Sequence, residues 1–103
     1  MKETTENNIL LAEFLDMLTT DSEGNIKEDV NSFKFHNYWN WLMEVVEKIN
    51  DLGHVVTIRS SGYVQIEGEE IPFIIEEDGD NPLQSTYDAC VEFVKWYNKN
   101  KQQ

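Results

Sequence analysis

At Gly53 the spacing of apolar residues changes period, and that change narrows the folds open to this chain. Before it, Tyr38, Leu42, Val45, Val46 and Ile49 recur at i, i+4, i+7, i+8 and i+11, one buried stripe of an α-helix expected from an Asn37 N-cap to Leu52. After it, "HVVTIRS" alternates, with Val56 and Ile58 on one face and Val55 and Thr57 on the other. A helix that stops at a glycine and leads straight into β-branched residues commits the chain to a mixed fold. Ser61-Gly62 supplies a turn, and "YVQIEGEEIPFII" reads as a hairpin with Gly68 near its turn and Pro72 at an edge or bulge. Val64, Ile66, Ile71, Phe73 and Ile75 are its expected inward residues, with Ile74 leaving the last register open.

The flanks add two helices. Residues 5 to 18 carry Leu10, Leu11, Phe14, Leu15, Met17 and Leu18 on one arc, with Thr4 or Thr5 as a cap. Ser85 and Asp88 make a capping-box-like start for a last helix from about Thr86 to Lys99, whose end is rich in lysine. Between the first two helices, Thr19 to Asn37 is polar and aperiodic, a long loop with a short extended piece around Ser32 to Phe35. The expected order is α-α-β-β-β-α: an α+β fold in which three helices pack on a three-stranded antiparallel meander. At 103 residues, without linker or repeat, residues 1–103 form one expected domain.

The aromatic cluster Tyr38, Trp39 and Trp41 belongs to the second helix. Tyr38 extends the buried stripe, while Trp39 and Trp41 sit on its two shoulders. The expectation is core, with an aromatic ligand site at the shoulders as the alternative. On the last helix Tyr87, Cys90, Val91, Val94 and Tyr97 form a stripe, and Ala89, Phe93 and Trp96 widen the apolar arc to about 220°, beyond what covering one sheet requires. Either the first helix buries the excess, or Phe93 and Trp96 form a self-association or partner surface.

Charge sets further limits. The formal net charge is −12, and from Ser60 to Val94 there is no Lys or Arg while Glu67, Glu69, Glu70, Glu76, Glu77, Asp78, Asp80, Asp88 and Glu92 all fall there. Such a surface repels nucleic acid and anionic membranes and attracts cationic partners such as a protein with a basic surface, although acidity also serves solubility. No apolar run is long enough to span a bilayer, no basic-then-apolar leader follows Met1, and the single Cys90 has no disulfide partner in the chain, so a cytoplasmic protein is expected.

Catalytic and metal chemistry find little material. His36, His54 and Cys90 are isolated, so no Cys/His metal site is expected. Thr19 to Val30 places Gly24 and Ile26 as in a calcium loop but has Thr19 and Val30 at the two ends where carboxylates are required. Cys90 lies mid-helix on an apolar face, Ser60 and Ser61 lack a nucleophile-elbow context, and there is no phosphate-binding glycine loop. Glu76 and Glu77 have no sequence reason for split pKa values. The expectation is a non-enzymatic protein without cofactor.

"NNILLAEFLDM", "WNWLMEVVEKINDLG" and "STYDACVEFVKWYNKNK" together resemble the phage ABA sandwich domain, found in small phage and prophage proteins of Bacteroidetes type. The resemblance implies an α/β sandwich and a phage origin, and carries no catalytic or ligand residues. Three functions remain in play. The first is an accessory protein that inhibits a host nucleic-acid-handling or defence complex, with Glu67, Glu69, Glu70, Glu76, Glu77, Asp78 and Asp80 as the acidic element and Trp39, Phe93 and Trp96 as apolar anchors. The second sequesters a nucleotide or metabolite between aromatics, and the third is a self-associating virion or assembly protein.

Overall fold

The computed structural model describes residues 2–68 and 74–101, which form helix α1 (Lys2–Phe14), a 3₁₀ turn (Val30–Ser32), helix α2 (Trp39–Asp51), strands β1 (Val55–Ile58), β2 (Tyr63–Glu67) and β3 (Ile75–Asp78), and helix α3 (Pro82–Lys101). The fold is α+β, and its strands run in the order β1-β2-β3, both pairs antiparallel. Ile66 stands opposite Ile75 and Val64 opposite Glu77, which settles the register left open by Ile74: Ile75 is buried and Ile74 is 51% exposed. Ile71, Pro72 and Phe73 lie outside the described residues.

The period change is realised at a glycine. Gly53 has φ +94°, its N–H donates to the Asn50 carbonyl, and the His54 N–H reaches back to Ile49. That is a Schellman ending, open to residues that tolerate a left-handed backbone. Gly62 serves the β1–β2 turn at φ +103°, where a Cβ would come within 1.8 Å of the Gly79 carbonyl oxygen.

Helix boundaries depart from expectation for local reasons. Helix α3 begins at Pro82 rather than Thr86, because Asn81 Oδ1 accepts the N–H groups of Leu83 (3.0 Å) and Gln84 (3.3 Å) and proline fits the first helical position. Ser85 is therefore buried inside the helix. Helix α1 starts at Lys2, leaving Thr4 and Thr5 within its first turns rather than at a cap. It ends with Asp16 at φ +59°, the Met17 N–H on the Ala12 carbonyl and the Asp16 N–H on Glu13, a second Schellman motif without glycine. Lys48 of α2 stabilises that end: its ammonium donates to the Phe14 carbonyl, lies 4.7 Å from the Phe14 ring centroid and 3.7 Å from Asp16.

Helix α3 is the hub. It packs against β2, β3, α1 and α2, and α2 also covers β1. Of the excess apolar arc, Ala89 and Phe93 are buried, Phe93 against α1 as the first of the two sequence alternatives anticipates, whereas Trp96 stays partly exposed. Phe93 is 0% exposed, with ring centroids of Phe14 at 6.1 Å, His54 at 5.0 Å, Trp96 at 5.8 Å and Tyr97 at 6.0 Å. Helices α1 and α3 run parallel, since Asn8 meets Tyr87 at one end and Phe14 meets Tyr97 at the other.

The segment before α2 contributes more than a loop. Phe33 and Phe35 are both buried and pack on Trp41, with Phe35 edge-on at 5.1 Å. Asn8, itself buried, joins this segment to α3: its Nδ2 donates to the Phe33 carbonyl (3.1 Å) and lies 2.9 Å from His36 Nδ1, while its Oδ1 accepts from the Tyr87 hydroxyl (3.0 Å). Tyr38 does not extend the buried stripe. It is the N-cap residue, in an extended conformation and 51% exposed, because the chain leaves the core at Asn37 before the helix begins.

Candidate functional site

The helices leave one face of the sheet open. Val64, Ile66 and Ile75 turn inward and are buried, so by strand alternation their neighbours turn outward. The outward set comprises Val55 and Thr57 on β1, Tyr63, Gln65 and Glu67 on β2, and Glu76 and Asp78 on β3, with Ile74 just ahead of β3. Three carboxylates thus share a surface that no described element covers.

These side chains are linked rather than scattered. The Tyr63 hydroxyl donates to Glu76 and lies 3.1 Å from Gln65 Oε1, and Gln65 Nε2 donates to Glu67 (3.2 Å). The bond to Glu76 holds the Tyr63 phenol above its ordinary pKa, helped by desolvation and the carboxylate charge. Arg59 lies 5.4 Å from the Tyr63 ring centroid, closing one end of the surface with a cation. The arrangement offers carboxylate acceptors at strand spacing, an aromatic ring and two exposed aliphatic side chains, Val55 and Ile74.

The remaining sequence candidates divide. Asp80 is exposed in the turn before α3, and Glu69 and Glu70 lie outside the described residues. Glu77 leaves the acidic set, because its position opposite Val64 points it inward toward α3. Its carboxyl is held above the ordinary value of 4.5, first by desolvation and then by Asp88 and Glu92, the latter also a hydrogen-bond partner. Phe93 also leaves, since full enclosure removes it from any partner surface. Trp96 is only partly buried, packed on Phe93 and on His54, whose Nδ1 is buried without a hydrogen-bond partner among the described residues. Trp39 is 40% exposed on α2, beside the equally open Met43, and has no ring neighbour among the described residues.

The inward Glu77 gives a testable consequence. Its folded-state pKa lies above the unfolded one, so its contribution favours the fold at low pH and weakens as pH rises from about 4.5 through the raised value. Glu77→Gln is therefore expected to raise the melting midpoint at pH 7 and to leave it nearly unchanged at pH 4. Thermal melts at both values check this, and an equal shift at both would point to packing rather than charge.

Elsewhere the chemistry is quiet. Cys90 is fully buried and desolvation pushes its thiol up to about 12, which keeps it protonated and unreactive at neutral pH. The Asp21 carboxylate, within the stretch that resembles a calcium loop, accepts the N–H groups of Asn25 and Glu23 and is held below its ordinary pKa by them. Among the described residues no group of three or more His, Cys, Asp or Glu side chains is placed to hold a metal ion, and no helix is long and apolar enough to cross a membrane.

No protein-family model, no curated protein and no solved structure matches the chain.

Proposed function

We propose that the protein is a non-enzymatic binding protein whose open sheet face docks a basic surface on another protein. The observation that carries this is the gathering of Glu67, Glu76 and Asp78 on one uncovered face, around the Tyr63 phenol, in a chain of net charge −12. Alternate residues of a strand are about 6–7 Å apart. Carboxylates at that spacing can occupy a groove that normally accepts phosphates, where duplex DNA carries about one charge per 1.7 Å of axis. The target in this reading is a host nucleic-acid-handling or defence complex and the protein a phage accessory, the phage origin resting on the sequence resemblance. A nucleotide held between aromatics is less well supported, because Trp39 has no second ring facing it among the described residues. A virion assembly role would need an extended self-association surface rather than an acidic one.

Electrostatic steering predicts the test. Attraction between the acidic face and a basic groove is long-ranged at low salt and screened at high salt, the Debye length falling from about 30 Å at 0.01 M to about 3 Å at 1 M. Immobilised wild-type protein is used to capture a partner from bacterial lysate at both salt concentrations, and the purified partner is then studied kinetically. The triple variant Glu67→Lys, Glu76→Lys, Asp78→Lys is expected to associate at least about tenfold more slowly at low salt, with the circular dichroism unchanged, since exposed charges are worth only about 0–1 kcal/mol each to the fold. Equal association rates for wild type and triple variant would reject the acidic face.

A further inference from the structure

Among the described residues, the three-stranded sheet has two free edges of opposite character. The Arg59 N–H donates to the Tyr63 carbonyl (2.8 Å), and the register continues through Thr57 opposite Gln65 and Val55 opposite Glu67. Antiparallel ladders alternate, so the backbone groups of Arg59, Thr57 and Val55 face β2, whereas the N–H and C=O groups of Val56 and Ile58 face away from it. No described element pairs with them. On the far side the same alternation leaves Glu76 and Asp78 with outward backbone groups, so that edge is guarded by carboxylates.

The β1 edge has no such guard. From Leu52 to Ile66 there is not one Asp or Glu, the longest acid-free stretch of the chain, and Arg59 is its single Lys or Arg. Val55 is 55% exposed there, and the other strand residues are Val56, Thr57 and Ile58, all β-branched. A second copy of a chain with net charge −12 is repelled nearly everywhere else, and this edge is where the repulsion is weakest.

We propose that β1 pairs antiparallel with β1 of a second copy about a two-fold axis at Thr57, making one six-stranded sheet. The free groups are placed symmetrically about that residue. Val56 of each copy stands opposite Ile58 of the other, and the two pairs close four backbone hydrogen bonds. Thr57 faces Thr57 in the close, non-hydrogen-bonded pair at the axis, and Val55 lies beside Arg59 of the second copy. The inward side chains of Val56 and Ile58, only partly buried in one chain, join into a continuous apolar strip.

The pairing is independent of the acidic-face reading and responds to salt in the opposite sense. Sedimentation velocity over a concentration series is expected to show a dimer whose population rises with concentration and with salt, as screening removes repulsion between the two chains. Thr57→Lys sets two ammonium groups directly opposite each other and is expected to weaken dimerisation at least about tenfold while the circular dichroism stays the same. Thr57→Cys under mild oxidation is expected to give a disulfide-linked dimer, because the Cα atoms of a close antiparallel pair are about 4.5 Å apart and within disulfide reach. Val55→Cys, opposite Arg59, is expected to give none, and Cys90 is buried and does not compete. A wild type that sediments as a monomer at every concentration, a dimer that Thr57→Lys leaves intact, or equal cross-linking of the two cysteine variants would overturn the proposal.

Discussion

Val45→Asp is expected to leave the chain unfolded at room temperature. Val45 is completely buried on α2, in line with Leu42 and Ile49. An aspartate there either carries its charge into an apolar core or takes up a proton to avoid doing so. Both cost several kcal/mol when no partner is at hand, and the substitution also removes apolar contacts. A domain of this size has about 5–15 kcal/mol of stability in total. Far-UV circular dichroism and the dispersion of the amide proton spectrum read the outcome. Leu42→Ala, with an expected loss of about 2–5 kcal/mol, grades the same face. A Val45→Asp protein that melts at the wild-type temperature would mean that α2 presents another face to the sheet.

Phe93→Ala is the second large effect, and it concerns the junction of all the layers. The ring is enclosed by Phe14 of α1, His54 just before β1, and Trp96 and Tyr97 of its own helix. Truncation opens a cavity between elements that cannot all close on it, with an expected loss of about 3–5 kcal/mol. For a domain of about 100 residues that corresponds to a drop of roughly 15–25 °C in Tm. Trp96→Ala is expected to cost clearly less, because Trp96 is only partly buried. Equal losses would show that the aromatic group acts as one block, with the tryptophan as necessary as the phenylalanine beneath it.

How much of this was legible in the residues depends on the range of the interactions involved. The element order and the α2 stripe follow from periodicity, which records local burial, and Leu42, Val45, Val46 and Ile49 are all buried as the spacing predicts. Phe33 and Phe35 were missed as core because the segment around them is polar. Their one signal, apolar residues two apart in the expected extended piece, is too short to separate from chance. Tyr38 misled for the converse reason: it fits the helical spacing but precedes the first helical residue, so the periodic rule does not apply to it. The start of α3 turned on competing caps, and the Asn-Pro pair at 81–82 outweighed the box at 85–88. At the candidate site, composition located the acidic stretch but not its division between faces. Glu76 and Glu77 are adjacent in sequence and opposite in orientation, and only strand register separates them.

The parallel arrangement of α1 and α3 has a consequence for how the chain acquires its structure during synthesis. Parallel neighbours cannot be joined by a tight turn, so every other element lies between the two helices in sequence. The Tyr87 hydroxyl reaches residues 79 and 83 positions earlier, Asn8 and Thr4. A nascent chain that has emerged only as far as β3 holds a sheet and two helices with nothing to lay over Val64, Ile66, Leu11 or Phe14. Stable structure must therefore wait until α3 has cleared the ribosome, and folding is governed by the closure of distant segments rather than by stepwise growth from the first helix. During that wait the uncovered strands are exposed to other chains, and chaperone engagement would be concentrated before the last helix arrives.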